Sequence, residues 1–237
     1  ILMQQEPDVM INLAASPFAY NHDEERIDIL RDNAKRYELP LLYVNQVGAQ
    51  TELIFDGGSL VFDNTGALVD ELPYFEENLA YYTLGNKGEI SFEHTTTMKP
   101  QRESDIEQIH QGLVLGIRDY FYKSGFKQAI LGLSGGIDSA VVCALAAEAL
   151  GPKNVMAVLL PSHFSSDHSI KDAQDLVDNL GCMHEIVSIG NITDAFEATL
   201  SPQFKGLPFN IAEEIIQSRS RAVLLMAMCN NFGYILL

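Results

Sequence analysis

Basic residues are scarce in this sequence. Only 15 of its 237 residues are Lys or Arg, against 32 Asp or Glu, so the formal net charge is −17. Without a basic stripe to displace counterions from a phosphate backbone, non-specific binding to nucleic acid is excluded. The chain also lacks an apolar run of membrane-spanning length and a basic leader followed by an apolar core. These absences predict no nucleic-acid partner, no membrane association and a cytoplasmic location.

Cysteine is equally sparse. The three cysteines, Cys143, Cys182 and Cys229, are an odd number without the spacing of a metal site. Each stands in apolar or helical surroundings, so we predict small core residues in a protein of a reducing compartment. The composition is otherwise ordinary for a globular protein, with 47% apolar and 20% charged residues.

The two ends of the chain are unusual for a complete protein. The sequence begins with Ile1 rather than methionine, and it closes on an apolar, strand-like run at residues 231–237. We therefore expect a piece of a longer protein.

The first part of the chain alternates strand-like and helical stretches. Strands are predicted at 8–13, 39–46 and 58–63, a helix at 24–37, and a hairpin turn at Asp63-Asn64-Thr65-Gly66. This α/β pattern ends near Thr83. Residues 85–104 are polar and aperiodic, which is typical of an interdomain linker.

The second part of the chain predicts a parallel sheet. Apolar residues at helical spacing predict a helix at 103–123. Strands then alternate with helices, with strands at 128–133, 155–160 and 185–189 and helices at 138–150 and 169–181. Such sheets bind ligands at the carboxyl ends of their strands. The serine-rich segment 161–166 follows one strand, although by itself it is equally typical of a helix cap.

The loop after the first of these strands is the most specific feature of the sequence. It consists of Gly132, Leu133, Ser134, Gly135, Gly136, Ile137, Asp138 and Ser139. Adjacent glycines let backbone N–H groups turn toward an anion, and the helix N-terminus adds partial positive charge. Ser134 and Ser139 add hydroxyl donors. Asp138 fits beside a phosphate where it holds a divalent cation that bridges to the phosphate oxygens, so the loop predicts nucleotide chemistry with magnesium.

Two other phosphate-binding motifs do not fit this loop. No lysine follows the glycines as in a Walker A loop, and their spacing differs from the dinucleotide fingerprint. An ordinary tight turn with Asp138 as a capping residue is the structural alternative. The six residues from Ser134 to Ser139, between a strand and a helix, favour the phosphate site.

The loop Ser134-Gly-Gly-Ile-Asp-Ser139 resembles the phosphate-binding loop of the ATP pyrophosphatase family. That family includes NAD synthetase, GMP synthetase, asparagine synthetase and argininosuccinate synthetase. Its members activate a substrate oxygen by adenylation and expel pyrophosphate. The resemblance implies ATP binding by residues 132–139 and magnesium binding by Asp138, but it does not choose among the members.

Two further segments resemble NAD synthetases in particular. Leu159-Leu-Pro161-Ser162-His-Phe-Ser165-Ser166 and its continuation to Ala173 are similar to the stretch that lies over the nucleotide. Glu213-Glu214-Ile215-Ile216-Gln217-Ser218-Arg219 resembles a Glu-Glu-Asn-x-Gln-x-Arg segment that helps to bind the dinucleotide substrate. The resemblance implies deamido-NAD binding at Ile215 and Arg219. Isoleucine replaces the expected asparagine and offers no hydrogen bond.

The N-terminal segment resembles part of the glutamine-dependent members of that family. Residues 12–18 and 43–59 are similar to the carboxyl half of a nitrilase-like glutaminase domain, which implies glutamine binding by Ser16 and His22. His22 stands where the family usually has lysine. The implied fold is α/β, with a partial nitrilase-like αββα domain at 1–84 and a linker at 85–104. A doubly wound parallel-sheet ATP pyrophosphatase domain (adenine nucleotide alpha hydrolase-like) follows at 105–237 and is truncated at its C-terminal end.

The resemblance implies a ligase that makes NAD from deamido-NAD, ATP and glutamine-derived ammonia. The nicotinate carboxylate is adenylated with release of pyrophosphate, and ammonia then displaces AMP. The glutaminase Glu-Lys-Cys triad is expected upstream of Ile1, so no residue of this chain is assigned as catalytic, and we expect the chain alone to be inactive. The family also implies a homo-oligomer with paired synthetase domains. The apolar run 222–228 suits such an interface or a core helix equally well.

Two alternatives stay open at this point. Another ATP pyrophosphatase amidotransferase, such as GMP synthetase, shares the loop but adenylates a different substrate. A non-catalytic nucleotide-binding remnant is the second alternative.

Overall fold

The computed structural model describes residues 2–85, 88–92, 104–208 and 210–237. The chain forms two compact units, Ile1–Tyr120 and Phe121–Leu237, and each is described by itself. Much of the predicted linker, residues 86, 87 and 93–103, lies outside the described residues. The predicted domain limits therefore stay a prediction.

The first unit contains a mixed four-stranded sheet, two separate hairpins, one complete long helix and most of a second. Its strands and helices, in chain order, are β1 (Met10–Ala14), α1 (Asp23–Tyr37), β2 (Leu41–Asn45), β3 (Val47–Gln50), β4 (Leu53–Asp56), β5 (Leu60–Phe62), β6 (Leu68–Glu71), β7 (Tyr82–Leu84) and β8 (Ile90–Phe92), and α2 (Asp105–Ser124) continues into the second unit. The sheet order is β1-β2-β5-β6. Strand β1 is parallel to β2, and the other neighbours are antiparallel.

Helix α1 packs on one face of this sheet. Its apolar residues Ile27, Leu30 and Ala34 are buried at helical spacing against Tyr43 and Phe62 of the strands. The predicted hairpin turn between β5 and β6 is confirmed. There the Asp63 carboxylate accepts hydrogen bonds from Thr65 and Ala67, as an Asx turn requires.

Several short elements of the first unit were not predicted. Strands β3, β4, β6 and β7 are only three or four residues long, too short for alternation to stand out. Strand β8, Ile90–Phe92, lies inside the predicted linker and pairs with β7 in a hairpin. The predicted opening helix of the second domain, α2, contributes to the first unit, where Asp119 accepts from the Ala49 N–H at 2.8 Å.

The second unit alternates strands and helices. Its elements are β9 (Ala129–Gly132), α3 (Ile137–Leu150), β10 (Val155–Leu159), α4 (Asp167–Leu180), β11 (Met183–Ile186), α5 (Gly190–Phe204), α6 (Ile211–Phe232) and β12 (Ile235–Leu236). The strand order is β11-β10-β9-β12, and all pairs are parallel. The predicted α/β fold with a parallel sheet is therefore confirmed.

Both faces of this sheet are covered by helices. Leu131 and Leu159 pack with Cys143 of α3 and Val177 of α4 in one core. The alternate strand residues face the other way and form a second core, whose members include Ile130 and Val158 of the strands and Leu225 and Cys229 of α6. The chain thus winds to both sides of the sheet, and the strand order reverses between β9 and β12.

Two expectations for the second unit were wrong in part, and one helix was not predicted. Strand β11 ends at Ile186, not at residue 189. Helix α5 was not predicted. The run 231–237 is not all strand, because α6 continues to Phe232 and ends at Gly233, whose φ is +72°, so that only Ile235–Leu236 pairs with β9.

The structure confirms that the cysteines are core residues. Cys143, Cys182 and Cys229 are all buried free thiols. Burial, together with the neighbouring Cys182 thiol, raises the pKa of Cys143 to about 12, so it stays protonated at neutral pH.

Among the described helices, none has the length and apolar character needed to cross a membrane.

Candidate functional site

The glycine-rich loop lies at the carboxyl end of β9, where the strand order reverses. Its start is fixed to the sheet by the Leu133 N–H, which donates to the Val158 carbonyl at 2.9 Å. The hydroxyls of Ser134 and Ser139 are 3.0 Å apart. The Ser134 hydroxyl also accepts from the Gly136 N–H at 3.2 Å, and Ser139 Oγ donates to the Gly136 carbonyl at 3.0 Å. The two serines therefore stabilise the loop conformation through hydrogen bonds within the loop.

The first turn of α3 has no side-chain cap. Gly136 is its N-cap residue and has extended backbone angles, and the first intrahelical bond runs from the Ala140 N–H to the Gly136 carbonyl. The amides of residues 137–139 precede that bond, and the partial positive charge of the helix is concentrated there. An anion in the loop would satisfy these amides.

The loop is in van der Waals contact with the start of α4. Gly135 has φ +82°, and a Cβ built on it would lie 2.2 Å from the Ser169 carbonyl oxygen. Only glycine tolerates both this backbone angle and this close approach. Ser169 is itself fixed by Ser166, the N-cap residue of α4, whose side chain accepts from the Ser169 N–H at 3.1 Å. The loop after β9 therefore packs directly against the segment that follows β10.

A cavity of about 320 Å³ opens beside the loop. Its wall includes loop, strand-end and helix residues, among them Gly132, Ser134, Leu160, Ser165, Ser169 and Arg221. Arg221 Nε donates to the Leu160 carbonyl at 3.0 Å, which anchors the guanidinium at the wall. Burial lowers the pKa of Arg221, but an arginine stays protonated at neutral pH. The cavity thus combines apolar walls with hydroxyls and one cation.

Of the eight predicted loop residues, three line this cavity. Gly132, Leu133 and Ser134 line it, and Asp138 is exposed in the first turn of α3. Within the described residues, no three His, Cys, Asp or Glu side chains cluster closely enough to hold a metal ion alone. A single carboxylate still fits magnesium, which keeps waters and completes its shell with phosphate oxygens.

The two predicted dinucleotide-binding residues do not line this cavity. Ile215 and Arg219 are exposed on α6, with Ile215 50% exposed. Arg221, two residues further on, does line the cavity, and sequence reasoning assigned it no role. Its signal was helical spacing, since Gln217, Arg221 and Leu225 recur every four residues and lie on one face of the helix.

The two predicted glutamine-binding residues lie in the first unit. Ser16 follows β1, and its N–H donates to Asn45 Oδ1 at 3.0 Å. His22 is exposed and directly precedes α1, where its side chain makes no capping hydrogen bond.

Asn45 belongs to a buried set of polar side chains, here called the Arg26 network, formed by Asp23, Arg26, Asn45 and Asp56. The fully buried Asp56 carboxylate accepts from Arg26 Nη2 at 2.8 Å and from Asn45 Nδ2 at 2.9 Å. Asp23 lies 3.2 Å from Arg26 Nη2. Burial alone would lower the pKa of Arg26, but the hydrogen bond and charge of Asp56, together with Tyr43 and Asp23, outweigh burial and raise that pKa.

The second unit therefore defines a doubly wound parallel α/β protein with a glycine-rich loop at the switch point of its sheet. The sequence pattern of the NAD synthase family matches residues 109–237. The chain belongs to the NAD synthase family.

Known relatives cover the whole chain. A Synechocystis protein named glutamine-dependent NAD(+) synthetase is 44% identical over all 237 residues, which are 42% of its own length. A Thermotoga maritima protein of the same name is 36% identical over 97% of this chain. The chain thus spans less than half the length of these curated relatives.

Solved structures match the fold. The glutamine-dependent NAD+ synthetase from Acinetobacter baumannii, determined in complex with adenosine diphosphate, is 37% identical and superposes with a TM-score of 0.90. The match covers 99% of this chain and 44% of that one. The synthetase from Cytophaga hutchinsonii, 20% identical with a TM-score of 0.78, supports the fold alone.

Proposed function

We propose that this chain is part of a glutamine-dependent NAD synthetase, in which the second unit binds ATP and adenylates deamido-NAD. The observation that carries the proposal is the loop at residues 132–139, which packs against the start of α4 beside a cavity with one cation. Membership of the NAD synthase family and the ADP complex of the Acinetobacter relative support ATP as the nucleotide.

In the proposed reaction, a nicotinate carboxylate oxygen of deamido-NAD attacks the α-phosphorus of ATP, and the bond to pyrophosphate breaks. Ammonia then attacks the activated carbonyl carbon, loses a proton, and AMP leaves. The backbone amides of residues 137–139 hold the phosphates and offset their charge. Asp138 would hold magnesium, which neutralises charge on the departing pyrophosphate when bound. Arg219 is assigned to the dinucleotide substrate, and Ile215 would contribute only apolar contact.

The first unit is assigned to the glutaminase half, with Ser16 and His22 as glutamine contacts. Its sheet supports a nitrilase-like αββα arrangement, in which each sheet has helices on one face and the second sheet on the other. On the sheet face opposite α1, Ile11 and Leu13 are 63% and 78% exposed. Apolar side chains at such positions fit a face that covers another layer.

Pairing of synthetase domains is also a proposal. One face of α6 packs on the sheet through Leu225 and Cys229. On the other face Val223 is 68% and Met226 47% exposed, which supports a helix interface with a second copy.

The test measures NAD formation by the full-length protein from deamido-NAD and ATP with magnesium, using glutamine or ammonium as nitrogen donor. We expect NAD, AMP and pyrophosphate in equal amounts. Asp138→Asn should lower the rate with either donor by about a hundredfold or more. The matched control Asp175→Asn, on an exposed side of α4, should leave both rates unchanged. Turnover of xanthosine monophosphate instead would identify a GMP synthetase, and no turnover of either substrate would indicate a non-catalytic remnant.

A further inference from the structure

The Arg26 network is a costly feature that stability alone does not explain. Asp56 is 0% exposed, and the Arg26 side chain is 11% exposed. Removing two charges from water carries a penalty that their attraction often only balances, and apolar replacements are frequently as stable. Because Asp56 is fully enclosed, it acts through the residues that it holds and not by touching a ligand.

Both polar atoms of the Asn45 side chain, Nδ2 and Oδ1, make hydrogen bonds. Its Nδ2 donates to Asp56 and to the Gly57 carbonyl, at 2.9 and 2.8 Å. Its backbone N–H donates to Ser59 Oγ at 3.0 Å. With both amide hydrogens engaged, Oδ1 is left pointing at the Ser16 N–H, 3.0 Å away. The amide orientation is therefore set by Asp56 and Gly57.

The network also reaches the second glutamine contact. Arg26 lies one helical turn after His22, and its N–H donates to the His22 carbonyl at 3.0 Å. The Arg26 guanidinium ties this first turn of α1 to Asp56 through two hydrogen bonds, at 2.8 and 3.3 Å. One carboxylate thus holds both the segment that carries Ser16 and the segment that carries His22.

We propose that the Arg26 network positions Ser16 and His22 relative to each other and thereby sets the affinity for glutamine. The proposal rests on the function proposed above, because Ser16 and His22 are assigned to glutamine there. Asn45 and Asp56 are positioning residues in this account. Their effect belongs to the glutamine site and leaves the use of free ammonia unaffected.

The experiment compares glutamine with ammonium as nitrogen donor in the full-length protein, at saturating ATP and deamido-NAD. Asn45→Ala removes the acceptor for the Ser16 N–H, so we expect the KM for glutamine to rise about tenfold. The rate with ammonium should stay within about twofold of the parent. Asn33→Ala is the matched control, since among the described residues the Asn33 amide bonds to the Ile29 carbonyl within α1 alone, and it should change neither value.

A double-mutant cycle tests whether Asn45 acts through Ser16. In a Ser16→Ala background the serine hydroxyl is absent. Moving residue 16 by the Asn45→Ala substitution can then no longer weaken a contact between that hydroxyl and glutamine. We therefore expect Asn45→Ala to raise the KM by less than about threefold there. The same tenfold rise in both backgrounds would overturn the route through Ser16.

Other results would also overturn the proposal. An unchanged glutamine KM in Asn45→Ala contradicts it, and so does an equal loss with glutamine and ammonium, which marks a purely structural role. If Asn45→Ala does not fold, Arg26→Lys serves in its place, because lysine keeps the charge but loses the two-pronged contact. A parent protein that makes NAD from neither donor contradicts the proposed function itself.

Discussion

At the scale of single residues, Gly135 is the position where the site tolerates least change. An alanine there meets two penalties, the left-handed backbone angle and the contact with the Ser169 carbonyl. Gly181 ends α4 with φ +74° and has nothing within 4 Å of a built Cβ, so an alanine there meets only the first penalty. We expect Gly181→Ala to cost about 1 kcal/mol of stability, and Gly135→Ala about 2 kcal/mol more.

Urea unfolding of the two variants measures this difference, and calorimetric titration with ATP and magnesium measures its effect on the site. Gly135→Ala should bind ATP at least about tenfold more weakly, whereas Gly181→Ala should bind as the parent does. Equal losses of stability in the two variants would contradict a close contact between Gly135 and Ser169.

The residues of the site differ in how far the sequence reveals them. Gly135 and Asp138 were predicted because a phosphate loop is local, and its chemistry depends on neighbours along the chain. Arg221 was missed because its role depends on which face of α6 meets the sheet. The role of Asn45 depends on the pairing of β1 with β2, which places Asn45 opposite Ala14, two residues before Ser16. Such contacts join positions about thirty residues apart, and periodicity carries no information on them.

At the scale of elements, the turn between β5 and β6 makes the free energy of unfolding depend on pH. Burial alone would raise the pKa of Asp63, but hydrogen bonds from Thr65 and Ala67 outweigh it and lower that pKa below 3.8. A carboxyl group with a lowered pKa stabilises the fold above its unfolded pKa and loses that contribution as the pH falls through the folded pKa. The stability of the parent relative to Asp63→Asn should therefore be constant near neutral pH and shrink below about pH 4.

Urea unfolding of both proteins between about pH 6 and pH 3 gives the comparison. An advantage of the parent that stays constant, or grows, toward low pH would mean that the Asp63 carboxylate does not hold the turn.

Helix caps offer a second prediction at this scale. Ser166 caps α4 and holds Ser169 against the glycine-rich loop, while Asn210 caps α6 in a capping box with Glu213. Ser166→Ala and Asn210→Ala should each cost about 1 kcal/mol of stability in urea unfolding. Only Ser166→Ala should also weaken ATP binding, because only that cap supports the loop. Equal effects of the two variants on ATP affinity would contradict this assignment.

Elements were predictable where local preference and packing agree. Helix α3 follows a glycine turn and is rich in alanine and leucine, so its limits were predicted to within one residue. Helix α5 contains Pro202 and begins at Gly190, two residues that disfavour helices, so local preference does not predict it. Strand β12 has two residues and depends on pairing with β9, which no local pattern reveals.

At the scale of the whole molecule, the two units have separate cores. The core of the first unit joins α1 to its sheet, and the second unit has one core on each face of its parallel sheet. A unit with its own core can unfold, locally or completely, independently of the other unit. A ligand that binds one unit therefore stabilises that unit by mass action, by about 2.7 kcal/mol at a concentration one hundred times its Kd.

Hydrogen exchange of the 237-residue chain, with and without ATP and magnesium, tests this prediction. We expect slower exchange in peptides that cover residues 132–139 and 159–173, and a smaller slowing in the rest of the second unit. Peptides from residues 2–85 should exchange at the same rate in both samples, because the proposed nucleotide site consists of residues of the second unit. Gly135→Ala, with its distorted loop, should abolish the protection in the second unit. Uniform slowing across both units would contradict independent cores and would mean that nucleotide binding orders the whole chain.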